Sequence, residues 1–204
     1  SNEGQNSTSN ENLELVDWLE SNLENFDIVV VPDYGNGFIT DSMTEVISRK
    51  SKFLAINTQI NSGNRGYHVV NRYNSANFIS LNEPEIRLAR HDLQESVVEL
   101  SKVTAKLLNA NFISVTQGPA GLYTYCANND NSFKVPALSS NVVDRVGAGD
   151  AFLSISAICL GSDLNPEISI FLGATAAAID VQIIGNESTI NKIDLIKYIS
   201  TLLK

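Results

Sequence analysis

The chain predicts an α/β fold: a mostly parallel sheet with helices on both faces. Three observations carry this. FDIVVV at 26–31 is a continuous apolar, β-branched run, the habit of a strand buried on both faces. FLAI at 53–56 and NFISL at 77–81 repeat the theme, with helix-like stretches between the runs. The 204 residues, 43% hydrophobic and 18% charged, suffice for one domain with a real core.

The elements follow in order. SNEGQNSTSNEN at 1–12 holds no apolar residue and reads as a flexible tail, with the folded unit over 13–204. Leu13 to Phe26 spaces Leu15, Trp18, Leu19, Leu23 and Phe26 as a helix does. Residues 40–50 are helical, and 83–109 carry one or two helices with Leu93, Val97, Leu100, Val103 and Leu107 as the apolar stripe. FISV at 112–115 is a further strand, and 121–126 with 132–136 form a hairpin across Asn128-Asn129-Asp130. Helices follow at about 148–160, 166–182 and 191–203.

Composition excludes several roles. Lys plus Arg is 14 against 23 for Asp plus Glu, a net charge of -9, which disfavours nucleic-acid and anionic-membrane partners. No stretch approaches the roughly 18 apolar residues of a membrane span. Two cysteines, Cys126 and Cys159, are too few for a disulfide framework and fit a reducing, cytoplasmic setting.

Ligands of open parallel sheets bind beyond the carboxyl ends of the strands. There the chain places Asp33-Tyr34-Gly35-Asn36-Gly37, Asn57-Thr58-Gln59, Asn82 with Glu85, and Thr116-Gln117-Gly118. Turn chemistry explains each alone; four along one edge favour a cleft. The strongest segment is VVDRVGAGDAF at 142–152, which opens an apolar helix. Small residues Gly147, Ala148 and Gly149 let a ligand approach the backbone, and amides at a helix start attract negative charge. Asp150 in that first turn is either a capping group or a reactive carboxylate.

VVDRVGAGDAF resembles the second signature, D-T-x-G-A-G-D, of the ribokinase-like, PfkB-type carbohydrate kinases. The resemblance implies a ribokinase-like three-layer α/β/α fold and an ATP-dependent kinase. It implies Gly147, Ala148 and Gly149 as an anion hole for the transferred phosphate, and Asp150 as the general base. Asp144 opens the motif as part of the ATP site, and Arg145 stands where the family usually has Thr. Asn82-Glu83-Pro84-Glu85 matches the family's N-x-x-E, implying Asn82 and Glu85 as Mg²⁺ residues acting largely through water; alone it reads as a helix cap. Thr116, Gly118 and Gly121 match T-x-G-x-x-G at the ATP site, and a glycine turn before a hairpin is the plain alternative. Gly173 to Gly185 with Asn186 resembles the helix and loop over the adenine, its small residues serving either a ring or helix packing.

Asp33-Tyr34-Gly35-Asn36-Gly37 is similar to D-Y-G-x-G of the heptose-phosphate kinase branch, with Asn36 for the usual Lys. Asn57-Thr58-Gln59 stands where that branch has D-P-K. Asp33 and Asn57 are the implied substrate residues, and Arg65, His68 and Arg72 could replace the lost charge. The likeness covers about 13–204, the C-terminal ATP-binding part, with the family's N-terminal sugar motif and β lid missing ahead of Leu13. It implies ATP, Mg²⁺ and, as a further option, a monovalent cation. Expected partners are a sugar or sugar phosphate, with a homodimer and fusion to a nucleotidyltransferase domain as options. A non-catalytic nucleotide-binding or assembly module is the alternative reading.

Overall fold

The computed structural model describes residues 9–60, 63, 68–139, 143–144, 146–184 and 189–204. Six strands form one sheet: β1 (Val29–Asp33), β2 (Leu54–Thr58), β3 (Phe78–Asn82), β4 (Phe112–Thr116), β5 (Leu122–Cys126) and β6 (Asn131–Val135). They lie in chain order; β1 to β4 run parallel, and β5 and β6 add an antiparallel hairpin. The helices are α1 (Ser9–Asn22), α2 (Asp41–Lys50), α3 (Glu83–Arg90), α4 (Val97–Leu107), α5 (Ala148–Gly161), α6 (Pro166–Asp180) and α7 (Lys192–Leu202). Helix α1 thus begins before Leu13, inside the polar stretch assigned to the tail.

Alternation of side chains along each strand feeds two cores. On one face Val31, Leu54, Ile56, Ile79, Leu81, Ile113 and Val115 meet Met43 and Ile47 of α2, Ile86 of α3 and Leu100 of α4. On the other, Ala55 and Phe78 meet Phe152, Leu153 and Ala157 of α5 and Ile170 and Ala174 of α6. Helix α7 packs on α6 as an outer element. These are the three layers expected from the parallel-strand pattern.

Two apolar stripes differ from expectation. In α4, Leu100 is buried, whereas Val103 and Leu107 are exposed, as is Leu93 ahead of the helix; the inward face is completed by Ser101, Thr104 and Ala105. The two hydroxyls are buried because each donates to the carbonyl four residues back, at 2.7 Å. In α1 and the turn after it, Val16, Leu19 and Leu23 face the core, while Leu15, Trp18 and Phe26 lie outside, the two rings 6.4 Å apart.

The α5–α6 contact sets the position of the α5 start. A Cβ on Gly173 would lie 2.0 Å from Ser156 Oγ, so only glycine lets the two helices approach this closely. Gly173 and Ala174 are buried in this packing, and Ala176 and Ala178 are buried as well.

Candidate active site at the carboxyl edge of the sheet

The parallel register aligns Asp33 with Thr58 and Asn82 with Thr116, so the four strand ends form one edge. Helix α5 packs against β1, β2 and β3 and starts at this edge.

Each of α2, α3, α4, α6 and α7 is capped by a side chain that accepts from its first-turn amides: Thr40, Asn82, Ser96, Asn165 and Asn191. At α5 the cap is Gly147, which has no side chain to offer. Its φ of 94° lies in the left-handed region that glycine tolerates, and a Cβ there would sit 2.9 Å from Asp180 Oδ2. The Ala151 amide already binds the Gly147 carbonyl at 2.9 Å. The amides of 148–150 precede the first intrahelical bond and have no intrahelical partner. This is a concentrated donor site, with Asp150 in its first turn.

Asp150 is half-buried, and both its oxygens are held from across the edge. Tyr34 Oη, just past β1, donates to Oδ2 at 2.8 Å. Gln59 Nε2, just past β2, donates to Oδ1 at 3.0 Å. The bond to Asp150 raises the Tyr34 phenol above its ordinary pKa. Asp180 is also raised, first by burial and then by the charges of Asp144 and Asp150. Asp144 turns inward on its own loop, its Oδ1 accepting from the Val146 amide at 2.9 Å.

Asn82 and Glu85 close a complete capping box. Asn82 Oδ1 accepts from the Glu85 amide at 2.9 Å, and Glu85 Oε2 accepts from the Asn82 amide at 2.8 Å. Burial pushes the Glu85 carboxyl up to about 7, against the opposing bonds from the Asn82 and Ile60 amides. The neighbouring turn is tied to this helix by Gln117 Nε2, which donates to Glu83 Oε2 at 2.8 Å. Gly121 is required by the hairpin, since a Cβ would lie 2.2 Å from the Val135 carbonyl oxygen. A Cβ on Gly118 meets nothing within 4 Å, so that glycine borders open space. Thr116 ends β4 beside Asn82.

Asp33, an implied substrate residue, is enclosed by its own protein. It is 2% exposed and already held by the protein. Arg72 Nη1 and Tyr73 Oη donate to Oδ2 at 3.0 and 2.9 Å, and the Gly35 amide donates to Oδ1 at 3.2 Å. His68 Nε2 lies 2.9 Å from Oδ1, close enough to pair when protonated although not aligned as a hydrogen bond. Burial raises this carboxyl, yet His68, the Gly35 amide and Tyr73 together bring it below the ordinary range. Arg72 also holds the Ile39 carbonyl and Asp41. Arg72 and His68 thus both lie against Asp33. Asn57 is buried too: Nδ2 donates to the Ser80 carbonyl at 2.9 Å, and Oδ1 has no hydrogen-bond partner among the described residues. Arg65, Arg145 and Asn186 lie outside the described residues.

Sequence reasoning missed Tyr34 and Gln59 as site residues. They stand next to the assigned Asp33 and Asn57, but their partner is 116 and 91 residues away. Strand alternation was the available signal: if Asp33 turns to one face of the sheet, Tyr34 turns to the face where α5 lies.

A three-layer sheet whose strand ends face an open helix start defines a ribokinase-type scaffold. Solved structures bear out the fold. Ribokinase of Thermotoga maritima superposes with a TM-score of 0.73 at 20% identity, covering 92% of this chain and 60% of that one. Phosphofructokinase-2 of Escherichia coli, in complex with potassium, gives 0.76 at 15% identity, covering 96% and 63%. The family model described as pfkB family carbohydrate kinase matches residues 2–193, and the chain belongs to that family. Among curated relatives, the bifunctional protein HldE of Trichlorobacter lovleyi is 25% identical over 92% of this chain and 38% of its own length. That of Histophilus somni is 28% identical over 89% and 37%. The chain thus spans about two fifths of these relatives. Among the described residues, no helix is long and apolar enough to cross a membrane.

Proposed function

We propose that the protein carrying this chain phosphorylates a sugar or sugar phosphate with ATP, and that this segment supplies the phosphate site and the base. The carrying observation is the α5 start: a helix capped by glycine, with Asp150 in its first turn at the carboxyl edge of parallel strands. Phosphoryl transfer asks a protein mainly to position reactants and offset charge. The amides of Gly147 to Gly149 face the phosphoryl oxygens as their negative charge grows. Asp150 receives the proton of the acceptor hydroxyl as that oxygen attacks phosphorus.

The residues present fit ATP·Mg²⁺. The start of α5 and the open side of Gly118 suit phosphates and nucleotide. Asn82 and Glu85 are oxygen donors beside Asp150, and Mg²⁺ keeps its waters and uses one or two carboxylates. Bound Mg²⁺ would supply positive charge to offset that of the phosphates, and Asn82 and Glu85 would hold it through water. A heptose-like acceptor, a surface-polysaccharide precursor, is the substrate class that the D-Y-G-x-G likeness implies. The name of the HldE relatives, bifunctional, agrees with a second, nucleotidyltransferase domain elsewhere in the protein.

The test is Asp150→Ala in the intact protein. Transfer to every sugar in a panel should vanish while the melting temperature stays close to wild type; near-normal turnover would overturn the assignment. The chain's partial span of its relatives favours one alternative, a nucleotide-binding module without catalysis. Binding of ATP·Mg²⁺ by calorimetry, with no transfer by the intact protein to any sugar, would support that alternative instead.

A further inference from the structure

We propose that Tyr34 and Gln59 form a neutral clamp that orients Asp150 for proton abstraction. The inference rests on the kinase reading and adds two positioning residues to it. Tyr34 Oη holds Oδ2 at 2.8 Å and Gln59 Nε2 holds Oδ1 at 3.0 Å, so one donor on each oxygen fixes the plane of the carboxylate. An ionised carboxylate has about four acceptor sites, so positions for an acceptor hydroxyl remain open.

The clamp stands on a braced loop. The Asp33 carboxylate accepts from the Gly35 amide, and Asn36 Oδ1 accepts from the Phe38 amide at 3.1 Å. Arg72 ties Asp33, the Ile39 carbonyl and Asp41 together, so the segment carrying Tyr34 is fastened at both ends. The Gln59 amide donates to the Asp33 carbonyl at 2.9 Å, joining the second arm to the same base. Buried Asp33 is thus the foundation, and Tyr34, one residue on, is the arm that reaches the site.

The chemistry of the arms suits the task. A phenol and a carboxamide direct a carboxylate without setting a full positive charge against it. Asp33, by contrast, lies against the Arg72 guanidinium at 3.0 Å and serves the scaffold. A group that must take up a proton is better held by neutral donors than by a fixed cation.

The experiment is a double-mutant cycle in the intact protein, with ATP·Mg²⁺ and the sugar it phosphorylates best. Tyr34→Phe keeps the ring and should lower kcat by about tenfold to a hundredfold, since small misplacement of a catalytic group costs that much. Gln59→Leu should do the same to a smaller degree. In both, the melting temperature and the calorimetric affinity for ATP·Mg²⁺ should match wild type. In an Asp150→Asn background, Tyr34→Phe should add nothing, because the arm acts only through that carboxylate. An active wild type with unchanged turnover in both clamp variants overturns the inference alone. So does a Tyr34→Phe loss that persists in full in the Asp150→Asn background. A wild type that transfers phosphate to no sugar overturns the kinase reading and the clamp together.

Discussion

Two sets of polar groups share the carboxyl edge of this sheet. Asp33, Asn82 and Glu85 are closed: the chain itself supplies their partners, through Arg72 and Tyr73 or through the α3 capping box. The start of α5 is open, capped by Gly147 with no side chain and fronted by half-buried Asp150. The sequence marks both sets with the same residue types. The difference teaches that folding can itself supply partners to an acidic or amide residue past a strand, so that changing it reaches the scaffold as well as any ligand. Closed groups should cost stability when changed, whatever else they do, and open ones should cost activity with little loss of stability.

The comparison can be broken in order of expected size. Asp150→Asn should lower turnover by about 10²–10⁴-fold, the usual worth of a general base, with little change in melting temperature. A comparable loss of stability would move Asp150 into the closed set. Asp33→Ala should reverse that pattern, costing roughly 3 kcal/mol by leaving Arg72 and Tyr73 facing an empty site, read by urea unfolding. Asp33 also carries a pH signature. Its folded pKa lies below the unfolded 3.8. Its stabilisation is therefore present above that value and is lost as pH falls through the folded pKa. Asp33→Asn should flatten the acid limb of stability below about pH 4.

Gly147→Ala tests the open end directly. A side chain at φ 94°, 2.9 Å from Asp180, should cost about 1–2 kcal/mol and weaken ATP·Mg²⁺ binding in calorimetry. Asn82→Ala should cost about 1 kcal/mol by opening the α3 box, seen as a shift in the denaturation midpoint.

Much of the fold was legible because parallel strands buried on both faces leave unbroken apolar runs, as VVV and FLAI do here. The helix faces were less so. A stripe of Leu and Val drew the eye in α4, while the true inner face uses Ser101 and Thr104, whose hydroxyls find their own backbone. Hydropathy counts such residues as polar and cannot see that bond. The α5 start could be read from glycines and one carboxylate in a short string. The fate of Asp33 could not, because Arg72 and Tyr73 reach it from the far side of α2 and β2. The Tyr34 and Gln59 contacts with Asp150 likewise depend on how the layers stack, which no local window contains.

Pro32 has a consequence for the chain's behaviour in solution. Strand β1 is at the edge of the described sheet, with β2 on one flank. The Val29 amide points to the Phe53 carbonyl on the β2 side. Alternation therefore turns positions 30 and 32 outward, and at 32 there is no N–H to give. A stray strand laid along Val29 to Val31 would lose its next rung at Pro32. At this border of the described sheet, Pro32 thus withholds one rung from any strand laid along Val29 to Val31.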